Sequence, residues 1–278
     1  PESLERFYVN GLGAGIARAL STVSGMAPFS LAEPLLLLFA CWLIAPGLPA
    51  TFGVVTRRRS VGNALLCGMV RTAGAAGILV AVFYVFWGFN YSRAVLPARL
   101  GWDDTGVAAL PRIGTPEDRD ELVALCTELV FVANYYYDEA TGTRDADIHS
   151  EPKASDAELD RGLDAGYARA AKLLDLDDSF AAARGPAKPV FASRVMSVLG
   201  ISGYYSPWTG EANYNREMPP FQRPLTIAHE KAHQRCIASE DEANFFGFLA
   251  CVLGDDPYVR YAGYLFAQRQ LLNELVKI

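Results

Sequence analysis

The run His229-Glu230-Lys231-Ala232-His233 places two imidazoles four residues apart, with a carboxylate directly after the first. On a helix, residues i and i+4 share a face, so both rings can converge on one ion. The glutamate between them falls beside the open coordination position, where it can take a proton from bound water. This is the chemistry of metal-assisted hydrolysis: Zn2+ as the expected cofactor, His229 and His233 as ligands, Glu230 as general base. A catalytic zinc needs a third protein ligand and one position left for water. Ser239-Glu240-Asp241-Glu242-Ala243-Asn244 follows. On one unbroken helix, Glu240 would share the face of His233 but lie about 10 Å further along the axis, out of reach. The helix must therefore end near Cys236–Ser239, and a second must fold back. Ser239-x-x-Glu242 reads as a capping box that starts it. That role engages Glu242 and leaves Glu240 as the expected third ligand, with Glu242 the alternative. Asn244, one turn beyond Glu240, can hold the far nitrogen of a ligating histidine.

Other elements must position these residues. Pro219, Pro220 and Pro224 lead into the helix carrying Leu225, Ile227, Ala228 and Ala232. Before it, GISGYYSPWTGEANYN (Gly200 to Asn215) is aromatic-rich and broken by Gly, Pro and Thr-Gly, which predicts a strand or hairpin. Further upstream, Thr115-Pro116-Glu117-Asp118 starts a helix running to about Glu139, with Leu122, Leu125, Leu129, Val132 and Tyr136 at helical spacing. Residues 140–154 read as a surface loop carrying His149. Ser155-x-x-Glu158 is a capping box opening a helix to about Leu174. Gly185-Pro186 and Pro189 break the pattern, and Asp256-Pro257 starts a last helix reaching about Lys277. No internal repeat is visible. The expected class is mainly α, strictly α+β.

Composition adds a second part. Of 278 residues, 51% are hydrophobic and 20% charged, and the mean hydropathy is +0.13, which excludes a disordered chain. A net charge of −6, with no basic block longer than Arg57-Arg58-Arg59, argues against a nucleic-acid partner. The charge is uneven. Residues 1–89 hold six arginines against three glutamates, net +3, and the remainder is net −9. Residues 31–48 and 73–89 are nearly all apolar, at the lower end of the length that spans a bilayer. The second ends in Phe83, Tyr84, Phe86, Trp87 and Phe89, as an interfacial aromatic belt would. These two are expected transmembrane helices, preceded by an interfacial helix at about 7–30. Arg57, Arg58, Arg59 and Arg71 place the 50–70 connection on the cytoplasmic side. Residues 90–278 then form an extracytoplasmic domain of a multi-pass cell-membrane protein, with the lipid bilayer as a partner. A chain starting at Pro1 with its first stretch outside implies a preceding membrane segment or signal. Five cysteines require no disulfide.

The frame Glu240 to Asn244 after HExxH resembles the gluzincin metallopeptidases, whose Glu-x-x-x-Asp ligates zinc and orients the first histidine. Asn244 stands where they have Asp. A longer resemblance rests on EANYN, PLTIAHEKAHQRCIASEDEANFFGFLA, LERFYVNGL and APFSLAEPLLLLF. Together these are similar to a bacterial membrane-protein family of unknown function (domain of unknown function 3810). That resemblance implies N-terminal membrane helices joined to a helical zincin-like domain with a small edge strand beside the HExxH helix. It implies an HExxH-type metallohydrolase fold and no established substrate; the expected function, from the HExxH chemistry and the edge strand, is a zinc metallohydrolase, a metallopeptidase acting on a peptide or protein. The strand would pair with substrate backbone, with Tyr204, Tyr205, Glu211 and Asn213 lining the cleft and a tyrosine helping to hold the oxyanion. The alternative is a non-catalytic membrane sensor or assembly factor that keeps a zincin fold. Cys236 occupies a position where the family commonly has Gly, so a strained or shifted turn is expected there. Its thiol is expected to pack as a small apolar group and not to reach the metal.

Overall fold

A computed structural model describes residues 4–45, 54–56, 60–102, 116–142 and 153–277. The fold is mostly helical with one small sheet. Nine longer elements matter here among the helices. They are α1 (Ala14–Gly25), α2 (Ala32–Ile44), α3 (Val61–Phe86), α4 (Pro116–Thr141), α5 (Asp156–Leu173), α6 (Ser193–Val198), α7 (Arg223–His233), α8 (Glu240–Val252) and α9 (Pro257–Leu275). The strands are β1 (Lys188–Pro189), β2 (Gly203–Ser206) and β3 (Glu211–Tyr214).

The sheet order is β1-β3-β2. The expected hairpin is the antiparallel pair β2–β3, with Tyr204 opposite Asn213. Pro189, read from the sequence as a breaker, is instead in β1, which runs parallel to β3. It is tolerated because β1 is an edge, where a proline withdraws no needed donor. β2 forms the other edge.

α7 is the central element. One side meets β2 and β3, and the other packs on α5 and α8. Leu163, Tyr167, Ile227, Ala228, Ala232, Ile237, Phe246 and Ala250 form the buried core between these helices. Gly166 makes the α5–α8 contact possible, since a Cβ there would stand 2.1 Å from the carbonyl oxygen of Ala250. Charges also tie α7 to α5. The fully buried Lys231 ammonium lies 2.9 Å from Asp160 and 3.2 Å from Asp164. The Arg235 guanidinium lies 2.7 Å from Asp164 and stacks on the Tyr167 ring. Burial of such cations is tolerable only when their donors are met this fully.

The caps at Ser155 and Asp256 are present, the first as a complete reciprocal box with Glu158. The cap expected at Thr115 and the loop histidine His149 lie outside the described residues. On α4 the buried line is Leu122, Cys126 and Ala133, while Leu125 faces solvent.

The apolar region differs in its boundaries from the sequence reading. The segment expected at 73–89 is, as far as Phe86, the later part of α3, which starts twelve residues earlier because Ser60 caps it by accepting from Asn63 N. Arg71, grouped in the sequence with the arginines of the polar connection, lies within α3. It donates to the Trp42 carbonyl and sits over the Trp42 ring, which lets an apolar helix carry it. α3 has 26 residues and only 6% of its apolar window is buried. At 1.5 Å per residue it measures about 39 Å, enough for a hydrocarbon core of about 30 Å. Among the described residues it is the one helix long and apolar enough to cross a membrane. α2, expected over 31–48, has 13 residues, or about 20 Å.

The stretch expected as an interfacial helix is π-helical over Glu5–Gly13 and continues as α1. It packs inward: Tyr8, Val9, Ala14 and Ala17 share a buried cluster with Cys236. All five cysteines are free.

Candidate metal centre

α7 ends where the reach argument requires. Cys236 adopts φ +64°, the left-handed conformation of a helix-terminating C′ residue. Ile237 N donates to Ala232 O at 3.3 Å and Cys236 N to His233 O at 2.9 Å, the paired bonds of a Schellman motif. The motif returns the chain and sets the Ile237 carbonyl 2.6 Å from His233 Nδ1. Ser239 then caps α8 by accepting from Glu242 N, and α8 runs back beside α7. The Cys236 thiol is buried against Tyr8 and Val9.

His229, His233 and Glu240 converge. His229 Nε2 is 3.2 Å from His233 Nε2 and 3.0 Å from Glu240 Oε2, and His233 Nε2 is 3.7 Å from Glu240 Oε1. Their ligand atoms all lie within 4.8 Å of one another. A tetrahedral ion with bonds of about 2.0–2.1 Å sets its ligand atoms about 3.3 Å apart, and the observed spacings bracket that value.

The far nitrogens fix the tautomers. His233 Nδ1 can only donate to the Ile237 carbonyl. His229 Nδ1 lies 2.9 Å from Asn244 Oδ1 and donates to it. In the neutral rings both Nε2 atoms are therefore bare lone pairs, facing each other and a carboxylate. Such a cluster could hold a metal ion at its centre. Burial, then the neighbouring His229, lowers the His233 pKa, which favours the neutral ring that a metal needs.

Glu230 is buried in the wall of the same cleft. Burial raises its carboxyl well above the ordinary carboxylate value, and Glu240 adds to this.

The cleft has a volume of about 740 Å³. Gly203, Tyr204 and Tyr205 of the edge strand β2 line one side. Tyr205 packs between Trp87, at 4.7 Å between centroids, and His233, at 6.2 Å. Burial raises its pKa.

The other residues singled out in the sequence go elsewhere. Glu242 does not close a reciprocal box on Ser239. Its carboxylate accepts from Leu96 N at 2.8 Å and pairs with Arg99, capping the one-turn helix Leu96–Arg99. Glu211 is fully buried behind the sheet. It pairs with Lys188 at 2.7 Å and accepts from Leu31 N and Ala32 N, where α2 begins. Asn213 is fully buried in the middle strand, with Nδ2 donating to Glu211 O.

Sequence reasoning missed the rest of the lining. Leu265, Phe266 and Arg269 of α9, Phe83 of α3, and Trp87 and Tyr91 just beyond α3 also line the cleft. Trp87 was legible only as a membrane-belt aromatic. Nothing in the spacing of α9 signals that it covers a site far back in the chain.

A family model described as a protein of unknown function (DUF3810) matches residues 8–278. No curated protein and no solved structure matches the chain.

Proposed function

For this chain, which belongs to the DUF3810 family of unknown function, we propose the role of a membrane-anchored zinc-dependent hydrolase, acting on peptide bonds. The observation that carries the reading is the set of bare ligand atoms on His229, His233 and Glu240, with each histidine held from behind by Ile237 O or Asn244 Oδ1. Imidazole and carboxylate ligands in a tetrahedral frame fit zinc, and three protein ligands leave a place for water. The ion would lower the pKa of water and polarise a carbonyl. Glu230 accepts the water's proton on its carboxylate and returns it to the leaving nitrogen. A peptide fits because β2 is an edge strand bordering the cleft, so an extended substrate can add to it backbone to backbone. The apolar α3 anchors the chain, and Arg57-Arg58-Arg59 orients residues 90–278 to the extracytoplasmic side.

The test uses the full chain in detergent, because Tyr8 and Val9 pack against Cys236. Zinc is measured by mass spectrometry and hydrolysis with a quenched-fluorescent peptide library. One zinc per chain, lost in His233→Ala and kept in an inactive Glu230→Gln, is the expected result. Zinc content unchanged by His233→Ala overturns the metal site. Zinc bound without hydrolysis of any peptide favours a sensor or assembly role.

A further inference from the structure

The segment from Phe191 to Ile201 carries apolar side chains that the fold does not use. Phe191, Val195, Val198 and Leu199 are each 59% to 82% exposed, and Ile201 is 40% exposed. In the same segment Ser193 and Met196 are buried. α6 is therefore seated on the sheet by one face and presents large aliphatic groups on the other. A contiguous patch of this kind is unusual on a water-facing surface.

Its position gives it an occupant. The backbone N–H groups of Phe191 and Ala192 donate to the Glu33 carboxylate at 3.0 and 2.9 Å. Glu33 is the second residue of α2, whose leucines and isoleucine are exposed in turn. The patch thus starts where an exposed apolar helix starts. At its other end, Ile201 lines the cleft together with Trp87, which follows the last residue of the membrane-length helix α3. α6 itself is only about 9 Å long, so the whole patch lies close to the start of α2, and its Ile201 end belongs to the cleft that the end of α3 also lines. Cations flank it: Arg194 is exposed, and the Arg216 guanidinium lies over the Phe191 ring at 5.1 Å. Apolar side chains bordered by arginines are the pattern of a surface seated among lipid headgroups.

We propose that the face formed by Phe191, Val195, Val198, Leu199 and Ile201 is a membrane-contact surface, inserted into the same leaflet that α3 enters, so that the mouth of the cleft opens at the lipid–water boundary. This rests on the membrane anchoring proposed above and is independent of the hydrolytic chemistry.

Nitroxide labels test it in the full chain, with Cys41 and Cys67 replaced by Ser and the three buried cysteines left in place. Val198→Cys and Leu199→Cys are labelled, with Ile78→Cys on α3 as the lipid reference and Arg161→Cys on α5 as the water reference. All four side chains are exposed, so the labels leave the core intact. The protein is reconstituted in phosphatidylcholine vesicles containing phosphatidylglycerol. Collision rates with oxygen and with a water-soluble nickel chelate are then compared. Labels at 198 and 199 that favour oxygen as the Ile78 label does support the proposal. Labels that favour nickel as the Arg161 label does overturn it. Shielding from both reagents with dipolar broadening also overturns it, since a second copy of the chain then covers the face. If the Ile78 label itself favours nickel, the anchoring fails and the proposal with it.

Discussion

Gly203 of the edge strand stands directly against the carboxylate of Glu230. A β-carbon at residue 203 would lie 2.7 Å from Glu230 Oε1 and 2.9 Å from the Asn213 carbonyl oxygen. The strand therefore approaches the HExxH helix as closely as it does only because this residue has no side chain.

Gly203→Ala must shift the carboxylate, the strand or both, while the ligand atoms on His229, His233 and Glu240 stay untouched. Misplacing a reacting group by about 1 Å costs about 100-fold in rate. The expected outcome is zinc content equal to the parent chain with kcat reduced by about that factor. Parent-level kcat in this variant would show that Glu230 does not act from the observed position.

Asn244 Oδ1 receives the far N–H of His229. Partners of this kind typically contribute 10- to 100-fold in metal affinity. Asn244→Ala is expected to weaken zinc by about that range in competition with a chelator. Asn244→Asp puts a carboxylate there, raises the basicity of the ring and is expected to bind at least as tightly as the parent. Unchanged affinity in Asn244→Ala would mean that the 2.9 Å contact does not orient the ring.

The cluster of His229, His233 and Glu240 was legible because it is local. Two histidines one turn apart, and a glutamate and an asparagine one turn apart, are helix periodicities, and Ser239 marks where the second helix begins. The turn itself was half legible: Cys236 in a glycine's place signalled a special conformation, and the φ of +64° is that conformation. Glu211 and Asn213 misled because strand position alone does not say which face is buried. Both sides of β3 are covered, so all four of its residues are buried. The part of the lining that α9 supplies was not legible at all, because α9 reaches the cleft through packing with no sequence period of its own. The extent of α3 was hidden by Arg71, whose charge suggested a boundary until the Trp42 carbonyl was seen to receive it.

Lys188 and Glu211 form a pair almost closed to solvent, with side chains 4% and 1% exposed. Lys188 Nζ also donates to Ser24 O at 2.6 Å and Phe29 O at 3.0 Å. Together the two residues hold the α1–α2 junction against the sheet. Removing one member of such a pair leaves a buried charge unmatched, at a cost of about 3–5 kcal/mol. Lys188→Met is expected to destabilise the chain by that amount in denaturant melts in detergent, and Glu211→Leu added to it should recover part of the loss. A loss below about 1 kcal/mol in Lys188→Met would show that solvent or another cation replaces the ammonium.

Cys236 holds the left-handed conformation that ends α7 while burying its side chain in the Tyr8 cluster. The conformation costs a non-glycine residue about 1–2 kcal/mol, and the buried sulfur returns about one methylene's worth, about 0.8 kcal/mol. Cys236→Gly should therefore leave stability within about 1 kcal/mol of the parent. Cys236→Val, branched at a positive φ and larger than its site, should lose about 2–4 kcal/mol. Burial also pushes the Cys236 thiol up to about 11, so at pH 8 its thiolate is scarce as well as enclosed. Alkylation of the native chain at pH 8 by a small apolar maleimide, read by peptide mass spectrometry, is expected at the exposed Cys41 and Cys67 and not at Cys236. Labelling of Cys236 at a comparable rate would mean that the turn opens readily, and His233 would then lose the carbonyl that fixes its ring.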